Sequence, residues 1–194
     1  MQISDKLSLR KQFLERRRAL APGEADALNR GLLKQAKTIR WPENGVVHTF
    51  LPILSKREPD TFQIIAWLRD AYPSIRIVAP RIVDANRGPA AHYLWEAHDA
   101  LEVNKWGIPE PVGGKRVGPS DIDTVLVPLL AVDLVGHRVG YGAGWYDRFL
   151  ANCRPDAQKI GLSLFEPVER ITDVQPTDIA LDACIVPDGV YWFR

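Results

Sequence analysis

Apolar positions recur through the first forty residues at steps of three and four, the repeat of one helix face. Ser4 is placed to cap a first helix running to residue 20. Ala21-Pro22-Gly23 ends it, because proline and glycine punctuate helices. Ala25, Leu28, Leu32, Ala36 and Ile39 make the buried stripe of a second helix, broken at Trp41-Pro42-Glu43-Asn44-Gly45. The pattern then changes. Residues 46–51 are short, apolar and β-branched and predict a strand. Residues 61–71 predict a helix with Phe62, Ile65 and Ala66 inward, and residues 75–79 a strand closed by Pro80.

Farther along, His92-Tyr93-Leu94-Trp95 predicts a strand, and the glycine and proline of residues 106–120 predict loop. Thr124-Val125-Leu126-Val127-Pro128 is a continuous apolar run, the pattern of a strand buried on both faces of a parallel sheet. A glycine-rich loop leads into a helix over residues 145–153, and residues 160–164 and 183–186 supply two more strands. Alternating strands and helices predict an α/β fold: a layered sandwich with a largely parallel central sheet and helices on both faces. With no internal repeat and no linker, residues 1–194 are expected to form one domain.

Composition narrows the function. The 194 residues are 46% hydrophobic and 25% charged, the balance of an ordinary soluble globular protein. A chain of this size buries roughly 70% of its unfolded surface and needs no metal or disulfide staple. The formal net charge of +1 argues against a whole-surface nucleic-acid binder and leaves only a local basic cluster open. Cys153 and Cys184 make no disulfide framework. Residues 1–18 are charged throughout, without the apolar core of a signal peptide. No apolar run approaches ~18 residues, so neither a membrane span nor a membrane partner is expected. A cytoplasmic location follows as an expectation. None of the four histidines has a partner at zinc spacing, and no Ser-His-Asp arrangement is legible.

The chemistry concentrates after the buried strand. Asp133-x-x-Gly136-x-Arg138-x-Gly140-x-Gly142-x-Gly144-Trp145-Tyr146-Asp147-Arg148 runs through alternate glycines into a helix. Ligands sit beyond the carboxyl ends of strands in open α/β sheets. Gly140, Gly142 and Gly144 let the backbone approach an anion, and the N–H groups opening the next helix can receive phosphate oxygens. Arg138 is suited to neutralise phosphate, and Asp147 is a hard carboxylate suited to Mg²⁺ on a nucleotide. The same pattern also suits a glycine-rich turn capped by a structural Arg–Asp pair. It is neither a Walker A loop nor the dinucleotide fingerprint.

The motif resembles the 5-formyltetrahydrofolate cyclo-ligase family. Lys6-Leu7-Ser8-Leu9-Arg10, Glu58-Pro59-Asp60-Thr61 and Trp106-Gly107-Ile108-Pro109-Glu110-Pro111 support the resemblance in the family's order. It implies ATP-dependent closure of 5-formyltetrahydrofolate to 5,10-methenyltetrahydrofolate through a phosphorylated formyl group, with Mg²⁺. It also implies site residues. Lys6 and Arg10, four apart on one helix face, would reach the polyphosphate with Arg138, the glycines and Trp145. Glu58, Trp106 and Tyr146 would meet the folate, Arg138 and Tyr146 would act in catalysis, and Asp147 and Asp182 would hold the metal. Two departures stand out: Ala143 occupies a position where the family often has glycine or lysine, and Trp145 one where it usually has tyrosine. Small-molecule substrates and a monomer are expected. A noncatalytic nucleotide- or folate-binding regulator on the same fold is the alternative, and an RNA-associated module is disfavoured by the near-neutral charge.

Overall fold

The computed structural model describes residues 3–84 and 88–193. Seven strands form the main sheet: β1 (Val46–His48), β2 (Arg76–Asp84), β3 (Gly88–Leu94), β4 (Thr124–Pro128), β5 (Gln158–Leu162), β6 (Ala183–Val186) and β7 (Gly189–Trp192). Their order is β7-β6-β5-β4-β1-β2-β3. From β6 through to β2 every pairing is parallel, and β7 and β3 add antiparallel edges. The helices are α1 (Lys6–Ala19), α2 (Pro22–Ala36), α3 (Thr61–Ala71) and α4 (Trp145–Leu150).

Strand alternation builds the layers. Val47, Ile77 and Leu126 point to one face, where Leu32 and Ala36 of α2 and Ile64 and Leu68 of α3 cover them. Val46, Val78, Val125 and Val127 point to the other, against Phe149 and Leu150 of α4. The sheet is therefore sandwiched between helices, as the alternation predicts. In β4, Val125, Leu126 and Val127 are completely buried. Each contributes about 1.5–3 kcal/mol by leaving water. Helix α1 lies apart from both layers, with Leu9 and Phe13 packed on a hairpin of Ala131–Val132 and Arg138–Val139.

Several boundaries differ from expectation for identifiable reasons. Asp5, not Ser4, caps α1: its carboxylate accepts from the Ser8 N–H at 2.8 Å, while Ser4 pairs with Ile171 in a short parallel bridge. Pro22 opens α2 at its first position, where a missing N–H costs nothing, and Ile39 lies beyond the helix end. Ala66 is exposed; Ile64 and Leu68 take the inner face of α3 with Ile65. Strand β2 continues through Pro80, because β1 ends at the level of Val78 and leaves Pro80 no parallel neighbour to receive an N–H. Within the expected loop, Pro109–Pro111 pairs with Leu101–Val103. Among the described residues no helix is long and apolar enough to cross a membrane.

Candidate active site

Two cavities open at the carboxyl ends of the parallel strands, where Pro128 ends β4. One, the polar cavity, takes its character from the charged side chains of Lys6, Arg10, Arg138, Asp147 and Asp178; it is about 270 Å³ and bounded by α1, the glycine loop and the start of α4. The other is apolar and about 370 Å³, bounded by the segment after β1 and by Trp106 and Ile108. They share Pro128, Tyr141, Ala143, Trp145 and Tyr146 as lining.

The polar cavity is assembled from distant parts of the chain. The α1 stripe docks on the hairpin, which turns Lys6 and Arg10 toward the loop. Lys6 Nζ is bonded to Asp178, and Arg10 Nε donates to Gly140 O at 3.0 Å. Burial works against the Asp178 charge, but the bonds from Lys6 and from the Gln175 N–H outweigh it and hold the carboxyl below its usual range. Asp133, fully buried, shapes the turn that delivers Arg138. Its Oδ1 accepts from the N–H groups of Val135 at 3.1 Å and His137 at 2.8 Å, and its Oδ2 from Ile171 N–H at 3.1 Å.

Arg138 then reaches α4. Its Nη2 donates to Asp147 Oδ1 at 2.7 Å, and its Nη1 to the Ile179 carbonyl. Burial pulls the Arg138 pKa below the ordinary arginine value and the Asp147 charge opposes that pull. Asp147 Oδ1 also accepts from Ile179 N–H at 3.1 Å. In the loop, Gly142 has φ +98° and Gly144 φ +63°, conformations in which a side chain would be strained. Ala143 avoids that region, and its carbonyl accepts from Arg148 Nη1 at 3.0 Å. Because α4 spans only six residues, Lys6, Arg10 and Arg138 outweigh its dipole as attractors of an anion.

Glu58 and Trp106 line the apolar cavity with Tyr146. Tyr146 packs against His48 and Phe149, with ring centroids 6.3 and 6.1 Å away. Burial first, and the Glu58 charge second, push its hydroxyl far above the usual tyrosine value, so it remains an O–H donor. The structure thus brings together every residue the sequence proposes except one. Asp182 lies outside both cavities, at the start of β6, where Oδ2 accepts from Lys159 N at 2.8 Å and pairs with Lys159 Nζ at 2.9 Å. The second carboxylate of the polar cavity is Asp178, four residues earlier.

Sequence reasoning also misses Arg17 and Tyr141. Arg17 was findable, since positions 6, 10 and 17 fall within about 40° on a helix of 3.6 residues per turn. The contact from Tyr141 to Glu58 crosses 83 positions and has no local signal.

The family model for the 5-formyltetrahydrofolate cyclo-ligase family matches residues 2–187. The chain belongs to that family. It is accordingly a ligase of folate one-carbon chemistry. It is 29% identical to the 5-formyltetrahydrofolate cyclo-ligase of Mycolicibacterium smegmatis, with 96% of each chain covered. It is also 29% identical to that of Escherichia coli K12, over 91% of this chain and 97% of that one. The NMR structure of Aquifex aeolicus 5,10-methenyltetrahydrofolate synthetase superposes with a TM-score of 0.79 at 28% identity, covering 97% of this chain and 93% of the other.

For a cyclo-ligase of this family the donor set can be tested against Mg²⁺. Among the described residues no group of three His, Cys, Asp or Glu could enclose a metal ion. Mg²⁺ needs only one or two carboxylates when phosphates and water complete its shell. Asp147 and Asp178 both line the polar cavity, which fits an ion that arrives with a nucleotide.

Proposed function

We propose that this chain converts 5-formyltetrahydrofolate and ATP into 5,10-methenyltetrahydrofolate, ADP and phosphate, with ATP in the polar cavity and the folate in the apolar one. The observation that carries this reading is the shared lining at Pro128, Ala143 and Tyr146, which lets the terminal phosphate and the formyl group meet. In the first step the formyl oxygen attacks the γ-phosphorus and the bond to ADP breaks. The N10 lone pair then attacks the formyl carbon, phosphate leaves with the oxygen, and the N10 proton is lost. Phosphorylation is needed because an amide-like oxygen is a poor leaving group. The protein's share is positioning and charge neutralisation.

Lys6, Arg10 and Arg138 draw in the phosphates, and the glycine loop lets backbone approach them. Tyr146, an O–H donor at the junction, orients the formyl oxygen, while Trp106 and Trp145 offer apolar faces to the ring systems. Glu58 accepts from the amino-pyrimidine. Asp147 and Asp178 would hold Mg²⁺, which supplies neutralisation of the phosphate charge when bound. The enzyme acts as a cytoplasmic monomer on small molecules. The test is ADP release with and without 5-formyltetrahydrofolate: release that requires the folate, one ADP per folate consumed, is expected. Tight binding of both ligands without ADP release would instead leave a noncatalytic binder.

A further inference from the structure

Tyr141 stands between Gly140 and Gly142 in the loop assigned to phosphate, yet its hydroxyl is bonded at the folate end. It donates to Glu58 Oε1 and accepts from Arg17 Nη1 at 2.8 Å. Arg17 and Glu58 are buried while Tyr141 is 48% exposed, so the cost of losing a bond falls on the two buried partners. The other Glu58 oxygen, Oε2, accepts from Ile53 N–H at 2.7 Å. Both oxygens therefore already have protein donors. A flat pair of N–H donors, such as an aminopyrimidine presents, engages both oxygens of one carboxylate. Each oxygen keeps a second lone pair, but Tyr141 lines the apolar cavity and crowds the approach to Oε1 from that side.

The loop is fastened from its other side as well. Arg10 Nε holds Gly140 O at 3.0 Å, and this guanidinium is one of the three cations facing the polar cavity. A phosphate that drew the Arg10 guanidinium into the cavity would compete with that carbonyl and free the segment that carries Tyr141. Gly142, at φ +98°, is a residue whose backbone can turn without a side-chain clash. When Tyr141 lets go, Glu58 keeps a cation nearby, because Arg17 Nη2 lies 3.9 Å from Oε1.

We infer that the Tyr141–Glu58 hydrogen bond is a latch common to the two cavities: either substrate must break it, and the second to bind finds it broken. The inference rests on the assignment of ATP and folate to these cavities. Its consequence is positive coupling, equal in both directions by thermodynamic necessity. A hydrogen bond to a charged group sets the coupling at about ten- to hundred-fold in affinity. Tyr141 is a positioning residue in this scheme, acting on the loop and on Glu58.

The experiment compares wild type with Tyr141→Phe, which removes the hydroxyl and keeps the ring. A Mg²⁺-loaded nonhydrolysable ATP analogue is titrated calorimetrically, without and with saturating 5-formyltetrahydrofolate. Wild type should bind the analogue about ten-fold or more tightly once folate is present. Tyr141→Phe should bind the analogue alone as tightly as wild type does with folate, and show no further gain. A merely structural role would weaken binding in both states, and that result overturns the latch. So does an equal folate-dependent gain in both proteins. Wild type alone gives a second check, since its folate affinity must rise by the same factor when the analogue saturates. Wild type binding both ligands without coupling overturns the latch only; wild type binding neither overturns the cavity assignment and the latch together.

Discussion

Arg138 and Asp147, residues suited to opposite ends of a magnesium–phosphate complex, are bonded to each other through Nη2 and Oδ1 at 2.7 Å. The pair caps the glycine-rich turn and lines the polar cavity at the same time. The structural and functional readings of the motif are therefore the same geometry. Arg138 holds the carboxylate that would face Mg²⁺, and Ile179 N–H holds the same Oδ1 from behind. Both of these bonds fall on Oδ1, and Asp147 lines the polar cavity.

Residues that act as one unit lose activity together. Arg138→Ala and Asp147→Asn should each lower kcat/KM by about 100-fold or more, and the double variant should lose far less than the product of the two. A double-mutant cycle on methenylfolate formation measures this. Multiplicative losses would mean that the pair does not function as a unit.

Lys6 is bonded to Asp178 and must turn toward a phosphate to serve ATP. Lys6→Ala should raise the KM for ATP by about ten-fold, with the KM for folate little changed. Steady-state kinetics with each substrate varied in turn checks it. Equal changes in both KM values would point to a displaced α1 instead.

Asp133 accepts two backbone N–H groups within the turn that presents Arg138 and a third from Ile171. Asp133→Ala leaves those donors without their acceptor in a buried site and should cost about 2–4 kcal/mol of stability. Urea unfolding of the variant reads this directly. A change below about 0.5 kcal/mol would show that the turn holds without its carboxylate.

How much of this was legible varies from residue to residue. The buried strand at 124–128 needs only its apolar run, and α3 needs only its period. Pro80 misleads, because a strand tolerates proline where no neighbour needs its N–H, and that depends on where β1 stops. Asp178 and Asp182 lie four apart around the same apolar stretch, so composition does not separate the carboxylate that enters the cavity from the one that meets Lys159. Arg17 shares the helix face of Lys6 and Arg10, but its contact with Tyr141, and that of Tyr141 with Glu58, is made by tertiary folding alone and has no period.

His48 and His92 form a buried pair with ring nitrogens 3.1 Å apart beneath α4. Burial pushes His92 down from 6.5 to about 4, and burial together with His92 pushes His48 well below its usual value. The folded state therefore binds fewer protons than the unfolded state below pH 6.5, so stability is full above that value and falls as pH drops toward about 4. The slope approaches about 1.4 kcal/mol per pH unit for each histidine. Urea titrations at pH 7 and pH 5 should show the loss, and His92→Gln should reduce its slope. An unchanged slope in that variant would assign the loss to other groups.

The most direct test of the account is the near-UV absorbance of purified protein mixed with 5-formyltetrahydrofolate, ATP and Mg²⁺. The methenyl product carries an extended chromophore, so its band reports ring closure itself. The expected band rises only when ATP and Mg²⁺ are both present and nearly vanishes in Arg138→Ala. A folded protein that binds ATP and folate yet produces no band would contradict the account.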